Sequence, residues 1–529
     1  MIVHEENRMK KTAFLLVLLI LLALASSLPG AAARTPATPA APPKPSPRLE
    51  AQKAESPKAT AAAPATETLS YGRFGTVWLY RRTPHPSHVA LFFSGDGGWN
   101  LGVVDMAQIL ADNDTLVVGI SVPYYLGKIN ASSESCTSSA VDLELLSKYV
   151  QKKLGFPNYE PPVLVGYSSG ATLAYAALVQ APPSTFKGAI SMGFCPDLPL
   201  KHPFCPGHGI ASDPDPNPKV KGIIFRPAST LEQPWVAFQG TIDQVCNKDD
   251  VVKYTAKVKN GRTVLLPDVG HGFSRANKWA PQFREAFHGI VQEKTPDKAP
   301  DRAPAAGHST TGAAGAAKNA PAVTGLPLVE VPTRVPGGKT LAVILSGDGG
   351  WAGIDRDVAG ALAAKGIPVV GWNSLQYFWT ARKPDEAARD LERIVRHYLA
   401  AWDKSDVLLI GYSFGADVLP FFADRLPADL LERVRLVALL GPGKTADFEF
   451  HVTDWLGGGS TGQPVLPEVR KLGGHPPVLC LYGSKESDSL CPQISAPLGK
   501  AQVLPGAHHF GGDYDALAAL ILKEAEAKR

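Results

Sequence analysis

Two five-residue stretches have the make-up of a nucleophile set in a tight turn: Gly411-Tyr412-Ser413-Phe414-Gly415 and Gly166-Tyr167-Ser168-Ser169-Gly170. Each follows an apolar run that reads as a buried strand, 407–410 or 163–165, and precedes a stretch that reads as a helix. Side chains beside the serine would crowd such a turn, which accounts for the glycines. The turn lifts the hydroxyl to the sheet edge and to a helix N-terminus, whose dipole favours developing negative charge. One Gly-x-Ser-x-Gly is common in loops; two copies in the same context carry weight.

A serine hydroxyl is a weak nucleophile at neutral pH and needs a base. An imidazole suits the task, and it needs a carboxylate to fix its tautomer, in the chain order serine, acid, histidine. In the second half, Ser484-Lys485-Glu486-Ser487-Asp488 follows a strand ending at Gly483, and Ala507-His508-His509-Phe510 follows the strand 502–504. The first half offers Gly240-Thr241-Ile242-Asp243 and Gly270-His271-Gly272-Phe273. Asp243 lies 75 residues after Ser168 and Asp488 lies 75 after Ser413, each with a cysteine three positions on, which selects Asp488 over Glu486. Matching Gly-His-Gly-Phe to Ala-His-His-Phe selects His508 over His509. The expected triads are therefore Ser413, Asp488 and His508, and Ser168, Asp243 and His271. Taken singly, a loop aspartate is more often a turn residue and a loop histidine is solvated. The order and the repetition favour the catalytic reading.

The motif Ser-Gly-Asp-Gly-Gly-Trp also occurs twice, at 94–99 after the strand 89–93 and at 346–351 after the strand 341–345. This is where the second oxyanion donor belongs, beside the N–H that follows the nucleophile. The expected donors are the N–H groups of Phe414 and Asp348, and of Ser169 and Asp96. A carboxylate in such a loop opposes an oxyanion, so it either folds away onto a helix N-terminus or receives a substrate cation. A phosphate-cradling loop is the alternative, but no Gly-Lys-Ser/Thr follows.

The elements that must position these residues repeat as well. Strands alternate with helices in both halves, which implies two tandem α/β domains, each a mostly parallel sheet covered by helices on both faces. Between Ala388 and Trp402, apolar residues recur at helical spacing on one face. Pro420, inside the helix after Ser413, should bend or shorten it. Segments rich in Ala and Pro at 34–68 and 295–324 read as tethers. They leave one domain at 69–294 and another at 325–529.

Residues 1–33 read as a cleaved signal peptide: Lys10 and Lys11, an apolar run from Ala13 to Leu28, then Ala31-Ala32-Ala33. A retained anchor is the alternative, though the run is short for a span. Six cysteines in an exported chain suggest disulfides, expected as Cys195–Cys205, Cys480–Cys491 and Cys136–Cys246. No Cys-x-x-Cys pair supports a metal site. A net charge of +4 with no basic stripe gives no case for nucleic acid, and nothing indicates a metal or organic cofactor.

The Ser-Gly-Asp-Gly-Gly-Trp and Gly-Tyr-Ser-Phe-Gly-Ala-Asp stretches resemble those of the AcvB/VirJ family of exported, virulence-associated bacterial proteins, and the resemblance covers both folded halves. It implies an α/β-hydrolase fold, a periplasmic location and, from AcvB-like two-domain members, hydrolysis of aminoacylated phosphatidylglycerol, chiefly the lysyl form. It places the catalytic serine at Ser413 and gives the first domain no clear role. A lysyl substrate carries two ammonium groups, so acidic residues should line the pocket; Asp348, Asp355 and Asp417 stand near the sheet edge. The aromatic run Trp372, Tyr377, Phe378 and Trp379, with Tyr124 and Tyr125 at the matching place, either faces lipid or packs beneath a loop. The expected partner is a phospholipid substrate at the membrane surface. A general exported esterase or lipase, and a non-catalytic periplasmic protein assisting secretion, are the other readings.

Overall fold

The computed structural model describes residues 67–216, 222–292, 321–351, 353–450 and 462–526. The expected leader and nearly all of both expected tethers lie outside these residues. The first half forms an eight-stranded sheet from β1 (Glu67–Tyr71), β2 (Gly75–Tyr80), β3 (His88–Phe93), β4 (Thr115–Ile120), β5 (Val163–Tyr167) and β6 (Gly188–Met192). A small three-stranded sheet of β7 (Asp197–Leu198), β8 (Ser212–Pro214) and β9 (Ile223–Phe225) stands beside it. The main sheet resumes with β10 (Trp235–Gly240) and β11 (Gly261–Leu266). The order across it is β1-β2-β4-β3-β5-β6-β10-β11, antiparallel at β1 and β2 and parallel from β4 onward.

The second half uses β12 (Leu328–Val331), β13 (Thr340–Leu345), β14 (Val369–Trp372), β15 (Asp406–Tyr412) and β16 (Val434–Leu440). A two-residue pair follows, β17 (Thr445–Ala446) with β18 (Gln463–Pro464), and then β19 (Val478–Gly483) and β20 (Gly499–Leu504). Its order, β12-β14-β13-β15-β16-β19-β20, repeats the first sheet with one antiparallel strand fewer at the edge. The central strands are buried on both faces, as parallel strands roofed by helices must be.

Helices cover each sheet because their apolar faces match it. In Pro384–Ala401, Leu391, Ile394, Val395 and Tyr398 are buried, each worth about 1.5–3 kcal/mol on transfer from water. Pro384 opens that helix and the Glu386 carboxylate accepts the Lys383 N–H, closing a capping box. The helix Phe414–Ala423 runs three residues past Pro420 and is two residues shorter than its counterpart Ser169–Gln180.

The aromatic run does not face outward. Trp372, Tyr377, Phe378 and Trp379 are all buried: the first three lie in the second repeat's own core, and the first repeat packs on Trp379. Its indole N–H donates to the Phe156 carbonyl at 2.6 Å and its ring lies 5.5 Å from that of Tyr159, tilted by 42°. Tyr125 is buried too, and only Tyr124 is exposed. Lys152 joins the repeats again, bonding the Trp379 carbonyl at 2.6 Å and pairing with Glu449 at 2.8 Å.

Three disulfides form: Cys136–Cys205, Cys195–Cys246 and Cys480–Cys491. The last is as expected, and the other two exchange partners. Cys195 follows β6 and Cys246 follows β10, neighbouring strands whose ends lie side by side, whereas Thr137 and Phe204 bridge in parallel and bring Cys136 to Cys205. Such bonds fit an oxidising compartment. Among the described residues no helix is long and apolar enough to cross a membrane.

Candidate active sites

Both serines sit at the strand-to-helix turn with positive φ, 56° at Ser168 and 51° at Ser413. Such strain in a non-glycine residue marks a functional turn. The flanking glycines are a steric requirement. A Cβ on Gly166 would lie 1.9 Å from the Gly170 carbonyl oxygen, and one on Gly411 would lie 2.4 Å from that of Gly415. The Ser-Gly-Asp-Gly-Gly-Trp loops also have a packing logic. Ser94 and Ser346 are buried and accept the N–H of Val122 and Ser374, at 3.0 and 2.9 Å. Trp99 and Trp351 lie over Gly119 and Gly371 of the neighbouring strands, where a Cβ would meet the indole within 2.4 Å. The loop is thereby pinned with Gly95 against Tyr167 and Ser168, and Gly347 against Tyr412 and Ser413. No acceptor among the described residues takes the N–H of Ser169, Asp96, Phe414 or Asp348, so all four remain unspent. The Asp96 side chain is exposed.

In the first repeat the three side chains form a continuous line. His271 Nε2 lies 3.0 Å from Ser168 Oγ, and His271 Nδ1 lies 2.9 Å from Asp243 Oδ2. The Asp243 side chain is fully buried. It accepts N–H bonds from Val245 at 2.8 Å and Cys246 at 3.0 Å, and one from the Gln239 amide at 3.0 Å. Burial pushes its carboxyl up, but the His271 bond and the two N–H groups outweigh that and hold it below the usual range. It is therefore ionised at neutral pH and able to orient the imidazole. Asp243, Cys246 and His271 are close enough to share a metal ion, but the Cys246 sulfur is in a disulfide and both His271 nitrogens are engaged.

In the second repeat the imidazole stands in the same place: a Cβ on Gly441 would meet His508, as one on Gly193 would meet His271. The carboxylate differs from the expected one. His508 Nδ1 bonds Glu486, not Asp488, which is exposed. Glu486 is held by the Gly483 N–H. The structural equivalence is plain from the strand ends. Asp243 and Glu486 each lie three residues past a strand-ending glycine, Gly240 or Gly483, and each turns its N–H back to that glycine's carbonyl, at 3.3 and 3.0 Å. Among the described residues no hydrogen bond joins Ser413 to His508. His509 faces Tyr412, whose hydroxyl lies 3.4 Å from its Nδ1, and burial, then the His508 charge, hold it below its ordinary value.

The model of the bacterial virulence protein VirJ matches residues 87–193 and 339–529, more than half of the chain. The chain belongs to the VirJ family. The search of curated proteins returns no match. Among solved structures it is similar to the native esterase from Thermogutta terrifontis, at 17% identity over 44% of this chain and 95% of that one, TM-score 0.31. It is also similar to an α/β serine hydrolase without a lid from Xanthomonas campestris, at 18% identity over 45% and 99%, TM-score 0.28.

The two VirJ repeats differ most around the nucleophile. One helical turn past Ser413 stands Asp417, whose Oδ1 accepts the Gly443 N–H at 2.6 Å. Burial, opposed by that bond, and then the charges of Asp348, Asp447 and Asp488 push its carboxyl well up. The Asp348 carboxyl is raised by burial, against the pull of the Lys148 ammonium. Asp355 is buried in the first turn of the helix Ile354–Ala364; after burial, its charge is the next influence raising Tyr412. The first repeat has Thr172 where the second has Asp417, its hydroxyl bonded to the Cys195 carbonyl. Lys148 comes from the first repeat's helix Ser139–Lys153 and was not anticipated. Its side chain is fully buried, with Nζ 2.8 Å from Glu144 and 3.2 Å from the Asp348 carbonyl. In the sequence Lys148 stands one turn from Glu144, Gln151 and Lys152, as on an ordinary solvated helix face, so nothing there signalled its burial.

A cleft of about 290 Å³ opens beside Ser168, between the Gly95–Gly98 loop, Val103, Met106 and Gly272. A larger cavity of about 1320 Å³, lined by Glu144, Trp351, Asn373 and Gln376 among others, includes neither serine.

Proposed function

We propose that the chain is a periplasmic serine hydrolase that cleaves the aminoacyl ester of aminoacyl-phosphatidylglycerol, chiefly lysyl-phosphatidylglycerol, and thereby serves membrane lipid homeostasis. The observation that carries this reading is the pair of raised carboxyls beside the nucleophile turn, Asp417 one helical turn past Ser413 and Asp348 in the loop whose Gly347 abuts that serine. Carboxyl groups raised by burial and mutual repulsion are costly to ionise. A dicationic lysyl group offsets that cost, and a neutral acyl group does not.

In the reaction, Ser413 Oγ attacks the ester carbonyl while its proton passes to His508 Nε2, the nitrogen left open by the Glu486 bond. Substrate binding brings the hydroxyl onto the imidazole, a bond that often tightens only in the complex. The N–H groups of Phe414 and Asp348 receive the oxyanion. His508 then protonates the departing glycerol oxygen, and water releases lysine from the acyl-enzyme.

Vesicles containing lysyl-phosphatidylglycerol test the reading. The purified chain releases free lysine, and Ser413→Ala lowers the rate by roughly 1000-fold or more. No lysine from the unaltered chain, or undiminished release by Ser413→Ala, overturns it.

A further inference from the structure

We propose that the first repeat is a second, independent hydrolase site, centred on Ser168 and selective for esters with a short, uncharged acyl group. This goes beyond the lysyl-ester reading and does not rest on it.

The machinery is complete in place. Ser168, His271 and Asp243 form one hydrogen-bonded line, whereas a repeat freed of catalytic duty has no reason to keep a strained serine, a buried carboxylate and an imidazole in register. The acid loop is clamped as well: Cys246, three residues past Asp243, is bonded to Cys195, two residues past the Gly193 that abuts His271.

The surroundings set the substrate class. Asp417 of the other site is replaced by Thr172, whose hydroxyl is already bonded to the Cys195 carbonyl. The cleft wall carries one carboxylate, Asp96, which is exposed and hydrated, and Asp243 is committed to His271. The other lining side chains are uncharged: Val103 and Met106, each 3% exposed, with Asn100, Tyr167 and Ser168. At about 290 Å³ the space is at the small end for ligand sites. An ammonium entering it would shed water without gaining a buried anion, and the space suits a short acyl group.

The step balances as ordinary ester hydrolysis. Ser168 Oγ bonds the acyl carbon and gives its proton to His271. The carbon–oxygen bond to the alcohol breaks as that proton passes to the leaving oxygen. Water then attacks the acyl-enzyme, returning a proton through His271 to Ser168 and releasing the carboxylic acid.

Ethyl butyrate and lysine ethyl ester share a leaving group and differ in acyl charge. Acid release is followed on a pH-stat with the full chain. Ser413→Ala is expected to keep most of the butyrate activity and to prefer butyrate over the lysine ester at least tenfold. Ser168→Ala is expected to lose butyrate activity at least 100-fold while still releasing lysine from lysyl-phosphatidylglycerol vesicles. Asp243→Asn should show the same loss, so the result does not depend on one variant. Met106→Ala should raise the rate on ethyl octanoate relative to butyrate. Butyrate turnover that survives Ser168→Ala, or a Ser413→Ala chain that takes both esters equally, overturns the proposal. Absence of vesicle activity in the unaltered chain bears only on the lysyl-ester reading, whereas its loss in Ser168→Ala would overturn the independence of the two sites.

Discussion

The first repeat lines up serine, histidine and aspartate through bonds of 3.0 and 2.9 Å, with Ser168 on a cleft whose lining carries one carboxylate, Asp96. The second sets its histidine on a glutamate, leaves Ser413 unbonded to it, and holds Asp417, one helical turn past the serine, raised by burial and by the charges of Asp348, Asp447 and Asp488. The parts that agree are those that sterics dictate: the glycines of the turn, the positive φ of the serine, and the tryptophan over a strand glycine. The parts that differ lie one turn or one loop farther out, where a side chain changes without disturbing the sheet. A duplicated fold thus holds its nucleophile in place while the side chains around it change.

The acid is the sharpest point of contrast, and replacing it has the largest expected effect. Glu486→Gln should lower lysyl-ester turnover by about 10³ to 10⁴, while Asp488→Asn should change it by no more than a few-fold; steady-state kinetics on both variants decide which carboxylate serves His508. Disulfide removal separates the repeats next. Replacing Cys195 and Cys246 by serine opens a loop of 51 residues and should cost about 4 kcal/mol, against about 3 for the 11-residue Cys480–Cys491 loop. Chemical unfolding should show that order, with butyrate hydrolysis suffering in the first variant and lysyl-ester hydrolysis in the second.

Lys148→Met tests whether the repeats are independent. It strands Glu144 and frees the Asp348 loop, so a stability loss of roughly 3 kcal/mol is expected, with a larger fall in lysyl-ester than in butyrate activity. Equal falls would mean that Lys148 only holds the fold together.

Asp417→Asn has the smallest effect and the clearest sign. Because the Asp417 carboxyl is raised, the folded chain keeps a proton that the unfolded chain has already released, and stability declines as pH rises above the ordinary carboxylate range. The variant should therefore melt higher than the natural chain at pH 7 and alike near pH 3. Its KM for the lysyl ester should rise about tenfold, ~1.4 kcal/mol. Equal melting at both values would show that Asp417 is not raised.

Much of the site was legible in the sequence because it is local. A strand, a glycine-flanked serine and a helix are adjacent in the chain, and Gly-His-Gly-Phe against Ala-His-His-Phe placed His508. The acid was missed through two length differences that cancel. Ser168 to Gly240 spans two residues more than Ser413 to Gly483, and Gly240 to Cys246 spans two fewer than Gly483 to Cys491. Counting from the serine therefore landed on Asp488; counting from the strand-ending glycine lands on Glu486. The cysteines misled for a related reason: Cys246 and Cys491 share a count, but one bonds Cys195 and the other Cys480 on its own strand.

By itself the sequence determined the two mostly parallel sheets, the two turns that present Ser168 and Ser413, and the histidines at the matching strand ends, His271 and His508. These follow from apolar periodicity and from the few residue types that a tight turn admits, which act over a handful of neighbouring positions. Tertiary structure alone decided which carboxylate meets His508, which sulfurs pair, and that Trp379 and Lys148 are spent on joining the repeats. Those outcomes depend on which ends of distant segments come within a few ångströms, and spacing along the chain does not encode that distance.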